Sequence, residues 1–515
     1  MEEFIHKRVK KMKIIELDKL SKIINVLRKK KKIVQCHGVF DLLHPGHIIH
    51  LKQAKSKGDV LVVTLTPDKF VNKGPNRPAF NQNLRAETLA SLSFVDYVSI
   101  SNSPDAIKAI NLIKPYIYFK GQEYKQSKKD ITKKISLESN TVKKHGGKIL
   151  FTSGKVFSSS NLINQYLGVH ENNQNNFIKK LKERYNFNFL KQKIEDFKKL
   201  KILIIGEAII DEYIFCEALG KSGKDPMIMY KKFFTKKYFG GSLAVANNIN
   251  NFTNKINLYC MIGKNDNYRD IIIKKKTNKI KINFLEKKNS PTVKKTKYID
   301  EVNNIKVFGT YEINDSILTK EDEKKAINFL NKNIKKFDIV IVSDYGHGFI
   351  TDKLAKTICS KSNFLALNTQ VNAANTGYHS INKYKNANCV IINETELRQD
   401  LRNRYSPLEK LMLEMQKKIR CKYLIVTKGK HGSILHDKKS KKFYRCPAFA
   451  NKVVDKIGAG DAMLCMVSMA LFNKLGADFS LFLGSLASQQ SVESFANEKS
   501  VDKIKILQSI KYFMK

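Results

Sequence analysis

Two short stretches of this chain carry residue types that could do chemistry on phosphates. One is Asp455-Lys456-Ile457-Gly458-Ala459-Gly460-Asp461. Its Gly-Ala-Gly turn has little side-chain bulk, so an anion can approach the backbone N–H groups. The apolar run from Ala462 to Phe472 reads as a helix whose N-terminus favours negative charge. Asp461 falls on the first turn of that helix. A carboxylate there is badly placed to hold a phosphate and well placed to take a proton from a hydroxyl attacking one. The same residues also suit a glycine cap between two elements. The other stretch is His44-Pro45-Gly46-His47. Two imidazoles at a helix start, beside amide donors, suit a triphosphate whose α-phosphate gains charge in an in-line displacement. Two histidines three apart equally suit a surface or a metal, so in both cases the surrounding elements decide.

Around the histidines, the strand Lys32–Cys36 runs into His37-Gly38-Val39-Phe40-Asp41. A helical pattern (Ile48, Leu51, Ala54) stops near Gly58, and a continuous apolar strand, Asp59–Leu65, follows. Strand, helix and apolar strand in succession predict a βαβ unit on a buried parallel sheet. Further strands are expected at Tyr97–Ile100, Tyr116–Phe119 and Lys148–Phe151, with helices between them. This is a doubly wound, Rossmann-like α/β domain over residues 1–168. The Asn-rich and then charged stretch 169–199 predicts a linker and connecting helix. A second α/β domain, 200–515, opens at the strand Lys201–Gly206. Its strand–helix alternation continues at Asp338–Ser343, Phe364–Asn368, Cys389–Ile392 and Tyr423–Thr427. The shorter alternating runs between about Asp211 and Phe308 predict a small antiparallel β lid.

The formal net charge is +47, with 94 Lys and Arg against 47 Asp and Glu. The cations are spread along the whole chain. The true basic runs, Arg28–Lys32 and Lys274–Lys276, lack interleaved aromatics, so no specific nucleic-acid partner is expected. A field this positive draws in nucleotides and sugar phosphates. Eight cysteines without a C-x-x-C pair argue against a disulfide or zinc framework and suit a reducing cytoplasm. Met1 to Lys13 contains no apolar leader segment, and no uncharged run reaches about 18 residues, so neither a signal peptide nor a membrane span is expected.

Residues 32–168 resemble the cytidylyltransferase-like nucleotidyltransferases. The resemblance is carried by His37–His47, Asn76-Arg77-Pro78, Leu84-Arg85, Lys120-Gly121-Gln122-Glu123-Tyr124 and Phe157-Ser158-Ser159-Ser160-Asn161-Leu162-Ile163. It implies joining of a nucleoside triphosphate to a phosphorylated alcohol or sugar, with release of pyrophosphate. His44 and His47 would stabilise the transition state. Gly38, Phe40, Lys73, Arg77, Arg85 and Lys120, with Ser158, Ser159 and Ser160, would contact the nucleotide and its phosphates. The Arg or acidic residue usual before the serine run is replaced by Ser153-Gly154-Lys155.

Residues from Lys201 onward resemble the ribokinase/PfkB sugar kinases. Asp455-x-x-Gly458-Ala459-Gly460-Asp461 matches their signature, and other pieces fall in order: Gly206–Asp211, Gly240-Gly241, Ser343–Gly348, Asn393-Glu394-Thr395-Glu396 and Thr427–Gly432. By resemblance Asp461 is the general base, and Gly458, Ala459 and Gly460 form the anion hole next to Asp455. Asn393 and Glu396 would organise Mg²⁺ through water, and Thr427, Gly429 and Gly432 would line the nucleotide. Asp211, Gly240, Gly241, Asn248, Asn368 and Gln370 would face the sugar. Read alone, Asn393-x-x-Glu396 also suits a helix N-cap.

Together the two halves resemble the bifunctional heptose-7-phosphate kinases and heptose-1-phosphate adenylyltransferases, here with the transferase first. Departures lie on the sugar side. Glu207 stands for an Asp, Ala244 for an Asn, and Asn368–Asn375 replaces an Asp-Pro-Lys-Gly turn. The resemblance implies ATP-dependent phosphorylation of a sugar or sugar phosphate with Mg²⁺, nucleotidyl transfer from ATP or CTP, and a homodimer formed through the kinase lid. The altered sugar side also leaves open a chain in which one domain works and the other serves as scaffold or sensor, and the net charge leaves open a basic nucleic-acid-binding protein.

Overall fold

The computed structural model describes residues 13–71, 77–124, 134–153, 172–303, 305–450 and 452–514. Contacts divide the chain into two units, Met1–Glu171 with Leu507–Lys515, and Asn172–Ile506.

In the first unit, Val60–Leu65 is buried at every position, which is the pattern a central parallel strand requires. The strands are β1 (Ile33–Gly38), β2 (Val60–Leu65), β3 (Tyr97–Ile100), β4 (Ile117–Lys120) and β5 (Lys148–Phe151). They lie in the order β3-β2-β1-β4-β5, all parallel. Alternate residues feed opposite faces. Val34, Cys36, Leu61 and Val63 pack with Leu51 and Ala54, whereas Ile33, Val60 and Val62 pack with Leu20, Ile24 and Ile113. The strand order reverses between β1 and β4. That reversal opens a crevice at the strands' C-terminal ends, the usual place for a ligand in such sheets. The helix Pro45–Lys55 starts just after β1.

The second unit is built on β6 (Lys201–Lys221), whose first half is in the main sheet and second half in a lid. Its other strands are β7 (Ile228–Gly241), β8 (Lys255–Gly263), β9 (Ile280–Lys287), β10 (Val293–Asp300), β11 (Ile305–Glu312), β12 (Ile339–Asp344), β13 (Leu365–Thr369), β14 (Cys389–Asn393), β15 (Tyr423–Thr427), β16 (Ser433–Asp437) and β17 (Lys442–Cys446). The main sheet runs β9-β8-β6-β12-β13-β14-β15-β16-β17, parallel as far as β15 and antiparallel beyond it. The lid runs β7-β6-β10-β11. It is not wholly antiparallel as expected, because β6 and β10 pair in parallel. The strand expected to end at Gly206 continues through it. An added Cβ at Gly206 would sit 2.2 Å from the Ser343 carbonyl oxygen, so the glycine permits close strand approach and does not end the strand.

From Asn172 the chain forms the helices Asn172–Arg184 and Phe187–Glu195, which pack within this unit. Gln174 Nε2 donates to the Ala448 carbonyl (2.6 Å), and Tyr185 donates its hydroxyl to Asp478 Oδ1 (3.0 Å). The apolar helices Ala459–Phe472 and Ala477–Val492 are almost entirely buried, which accounts for their composition. Among the described residues no helix is long and apolar enough to cross a membrane. All eight cysteines are unpaired.

Candidate active sites

In the first unit His44 caps the helix Pro45–Lys55 and accepts from the Gly46 N–H at Nδ1 (3.1 Å). The proton of its neutral ring is therefore on Nε2. His47 stacks on His44 with ring centroids 4.0 Å apart and donates Nδ1–H to the Leu42 carbonyl (3.1 Å). Phe40, at φ +47°, sets its ring edge-on to His47 at 5.3 Å and lies 3.1 Å from where a Cβ on Gly38 would be. A third imidazole, His50, completes the group. Its Nδ1 is 2.6 Å from Thr152 Oγ1, and burial, then Lys120, lowers its pKa to about 4, so it stays neutral. The spacing of His50 three residues after His47 was a legible signal that motif reading passed over.

The cations expected here differ in how they are placed. Arg85 is fully buried and turned inward. Its guanidinium donates to the carbonyls of Phe80, Val39 and Thr66 and to Asp68 Oδ1 (2.6 Å), so the structure does not bring it to the crevice. Lys120 pairs with Glu138 (2.9 Å) beneath Tyr118 and Tyr124. Arg77 lies 2.8 Å from Asp41, with both of its Nη atoms buried and unpartnered among the described residues. Lys73, Ser158, Ser159 and Ser160 lie outside the described residues.

In the second unit the glycine turn and Asp461 lie at the start of the helix Ala459–Phe472. Gly458 caps the helix at φ +82°, and a Cβ there would meet Asn497 Oδ1 at 2.4 Å. A Cβ on Gly460 would meet nothing within 4 Å. Asp461 is held from β12 and the turn after it. Ser343 Oγ donates to Oδ1 (3.3 Å) and the Tyr345 hydroxyl to Oδ2 (2.8 Å). Burial raises its pKa to about 6, against the pull of those two donors. A base of this strength is ionised near neutral pH yet able to accept a proton.

The lid brings three lysines to this end of the sheet. Lys297 pairs with Asp211 (2.8 Å) and Lys306 with Asp455 (2.7 Å). Lys295 is 9% exposed, and its ammonium lies over the rings of Tyr311 (5.3 Å) and Tyr345 (5.5 Å). It has no ion pair among the described residues. Burial lowers its pKa, while Asp211 and Glu207 act to raise it. A Cβ on Gly240 would be 2.3 Å from Asp211 Oδ2, so that glycine makes room for the carboxylate. Gly241, at φ +59°, turns the chain into the helix Ser242–Ile249.

Asn393 and Glu396 form a reciprocal capping box on the helix Glu394–Asp400. Glu396 Oε2 accepts from Asn393 N–H (3.1 Å) and Oε1 from Val371 N–H (3.0 Å). Burial raises the Glu396 pKa, and no cation pairs with it among the described residues. Thr427 ends β15, and the turn after it has Gly429 at φ +56° and Gly432 at φ +80°. Asp455 accepts from the N–H groups of Ile457 and Ala496 and so braces the glycine turn. The amides of two predicted sugar-side residues are used inside the scaffold. Asn248 Oδ1 accepts from Val501 N–H (3.0 Å), and Asn368 Nδ2 donates to the Ile391 carbonyl (3.1 Å). Gln370 is exposed, with its N–H bonded to the Asp344 carbonyl (2.9 Å). Lys295 and the hydroxyl of Tyr345 were missed as site groups. Tyr345 lay inside a quoted motif, but nothing local marks Lys295 among the chain's other cations.

The pfkB family carbohydrate kinase model matches residues 199–504, and the Cytidylyltransferase-like model matches residues 36–179. A protein of Aliarcobacter butzleri named Bifunctional protein HldE is 28% identical over 300 residues, which are 56% of this chain and 60% of that one. A protein of Campylobacter fetus with the same name is 40% identical over 158 residues, 30% of this chain and 32% of that one. The matched region thus spans less than two thirds of either relative. Phosphofructokinase-2 of Escherichia coli superposes at a TM-score of 0.49 and 12% identity, over 61% of this chain and 100% of that one. With a kinase match over more than half its length, the chain belongs to the pfkB family of carbohydrate kinases.

Proposed function

We propose that the protein makes a nucleotide-activated sugar in two steps. Residues 200–515 phosphorylate a sugar phosphate of the heptose-7-phosphate kind with ATP. Residues 1–168, joined to them through 169–199, then transfer a nucleotidyl group from ATP or CTP. In the first step Asp461 takes the proton of the acceptor hydroxyl, the oxygen attacks the γ-phosphorus, and ADP leaves. The N–H groups of Gly458–Asp461 face the charge that develops. Asp211, oriented by Lys297, holds acceptor hydroxyls, and Lys295 suits an acceptor that carries its own phosphate. In the second step the new phosphate attacks the α-phosphorus and pyrophosphate leaves. His44 donates its Nε2–H to the oxygens that gain charge, and His47, whose Nδ1–H is held by the Leu42 carbonyl, donates there from Nε2 as the imidazolium.

Magnesium fits the nucleotide side. Glu396 is a buried carboxylate with no cation among the described residues, and each of its oxygens keeps a lone pair beyond its one N–H bond. Asn393 and Glu396 would hold the ion through water, and bound Mg²⁺ would offset phosphate charge. The exposed apolar side chains of the lid, Ile228, Phe234, Val307 and Phe308 among them, support pairing with a second copy. The unpaired cysteines support a cytoplasmic location.

The observation that carries this reading is Asp461, a buried carboxylate on a glycine-opened helix start, held by two hydroxyl donors. ³¹P NMR of the protein with ATP, CTP and a panel of sugar phosphates tests it. Acceptor-dependent ADP followed by pyrophosphate is expected. ADP without pyrophosphate reduces the protein to a kinase, and neither product with any acceptor overturns the reading.

A further inference from the structure

Glu207 is fully buried on β6, one residue beyond the point where β6 and β12 pair through Gly206 and Ser343. Its Oε2 accepts from Tyr345 N–H (3.1 Å) and its Oε1 from His347 N–H (3.1 Å). Those amides belong to the turn after β12, the turn that directs the Tyr345 hydroxyl at Asp461. An ionised carboxylate only accepts hydrogen bonds, so it matches two amide donors, and in a dry interior each unmade bond is costly. The far side of the turn is tied by neutral contacts. Asn372 Nδ2 and Asn375 Nδ2 both donate to the Tyr345 carbonyl, at 2.9 and 2.8 Å.

Charged groups face Glu207 from several elements. Asp344 comes from β12, Lys287 from β9 and Lys295 from β10. Lys383 and His379 stand beyond Asp344, while Asp315 pairs with His347 (2.8 Å). Burial, then Asp344, holds the Glu207 carboxyl above the ordinary glutamate range, and the Tyr345 amide, the residue's own amide and Lys383 oppose this.

We propose that Glu207 is a positioning residue for phosphotransfer, fixing through two backbone N–H groups the turn that aims Tyr345 at Asp461. The proposal rests on Asp461 being the base. A proton on Glu207 turns one acceptor oxygen into a donor facing an amide donor. The turn loosens, Tyr345 leaves Asp461, and Asp461 becomes harder to ionise. Two protonations then act together on the acid side of kcat, so its slope there approaches two.

The test is Glu207→Gln in the full-length protein, alone and with Tyr345→Phe. The amide oxygen accepts one N–H, while its NH₂ opposes the other. The expected result is a fall of about tenfold in kcat, from one unmade bond to a charged acceptor. KM for ATP and for the acceptor stays within about twofold of wild type, and the acid limb drops to a slope of one. In the Tyr345→Phe background Glu207→Gln adds nothing further, because both changes cut the same connection. If the Gln protein does not fold, Glu207→Asp carries the test: it keeps the charge, so the slope stays near two while kcat falls. Equal losses with and without Tyr345, or a loss confined to KM, overturn the proposal and leave the kinase assignment standing. Wild-type protein that forms no ADP with any acceptor removes both.

Discussion

Replacing Tyr345 by Phe removes one hydroxyl and should move the pH dependence of the kinase by a predictable amount. That hydroxyl donates to Asp461 Oδ2 at 2.8 Å inside the protein, and Asp461 titrates at about 6 with the bond in place. A hydrogen bond to a charged group contributes about 1.5–3 kcal/mol, and one pKa unit corresponds to about 1.4 kcal/mol. Losing it raises the carboxyl by about one to two units, to roughly 7–8. The direction follows from the charge state that the bond favours. The hydroxyl stabilises the carboxylate, so without it Asp461 stays protonated over a wider acid range. At pH 7 a group at about 6 is roughly nine-tenths ionised, and one at about 8 roughly one-tenth. The variant should therefore lose up to about tenfold in kcat at pH 7 and recover most of it near pH 9. Initial ADP release across that range, at saturating ATP and acceptor, measures this. A loss independent of pH, or an acid limb that does not move, would refute the link between Tyr345 and the strength of the base.

The two chemistries should separate. Asp461→Asn should lower acceptor-dependent ADP formation by about 10²–10⁴-fold and leave pyrophosphate release from a supplied sugar 1-phosphate intact, while His47→Ala should do the reverse. Lys295→Met should raise KM for a phosphorylated acceptor by about ten- to a hundredfold with KM for ATP unchanged, because a charge-assisted contact is lost. The same variant should melt at a higher temperature, since a buried ammonium with no ion pair among the described residues is replaced by an apolar chain of similar length. A Lys295→Met protein that melts lower and keeps its acceptor KM would place Lys295 in the scaffold. Gly458→Ala forces a side chain into φ +82° and against Asn497, so differential scanning calorimetry should record a loss of at least about 1 kcal/mol. Gly460→Ala meets no neighbour and should keep or gain stability while weakening ATP binding, read by titration calorimetry.

Both parallel sheets could be read from the chain because their strands are continuous apolar runs separated by helix-period stretches. Val60–Leu65 and Cys389–Asn393 show this most clearly. The extent of β6 was not legible, because a glycine inside a strand and a glycine ending one look alike until the neighbouring Ser343 carbonyl is known. Arg85 shows a second limit. A motif position held by an arginine reads as a phosphate contact, yet its donors tie together three loop carbonyls and Asp68. Asn393 and Glu396 could not be separated into cap and metal organiser by their spacing, since both roles use the same oxygens at the same helix start.

Asp461 divides along the same line. Its place on the first turn of a helix was legible from the Gly-Ala-Gly turn and the apolar run that follows it. Its strength as a base was not. That strength is set first by burial, which raises it, and then by Tyr345 and Ser343, 116 and 118 residues earlier in the chain, whose hydroxyls hold it down. A local motif can name the carboxylate proposed to take the proton. The pH at which it titrates is set by its burial and by residues that only the folded sheet brings to it, so the motif and the strength of the carboxylate can change independently.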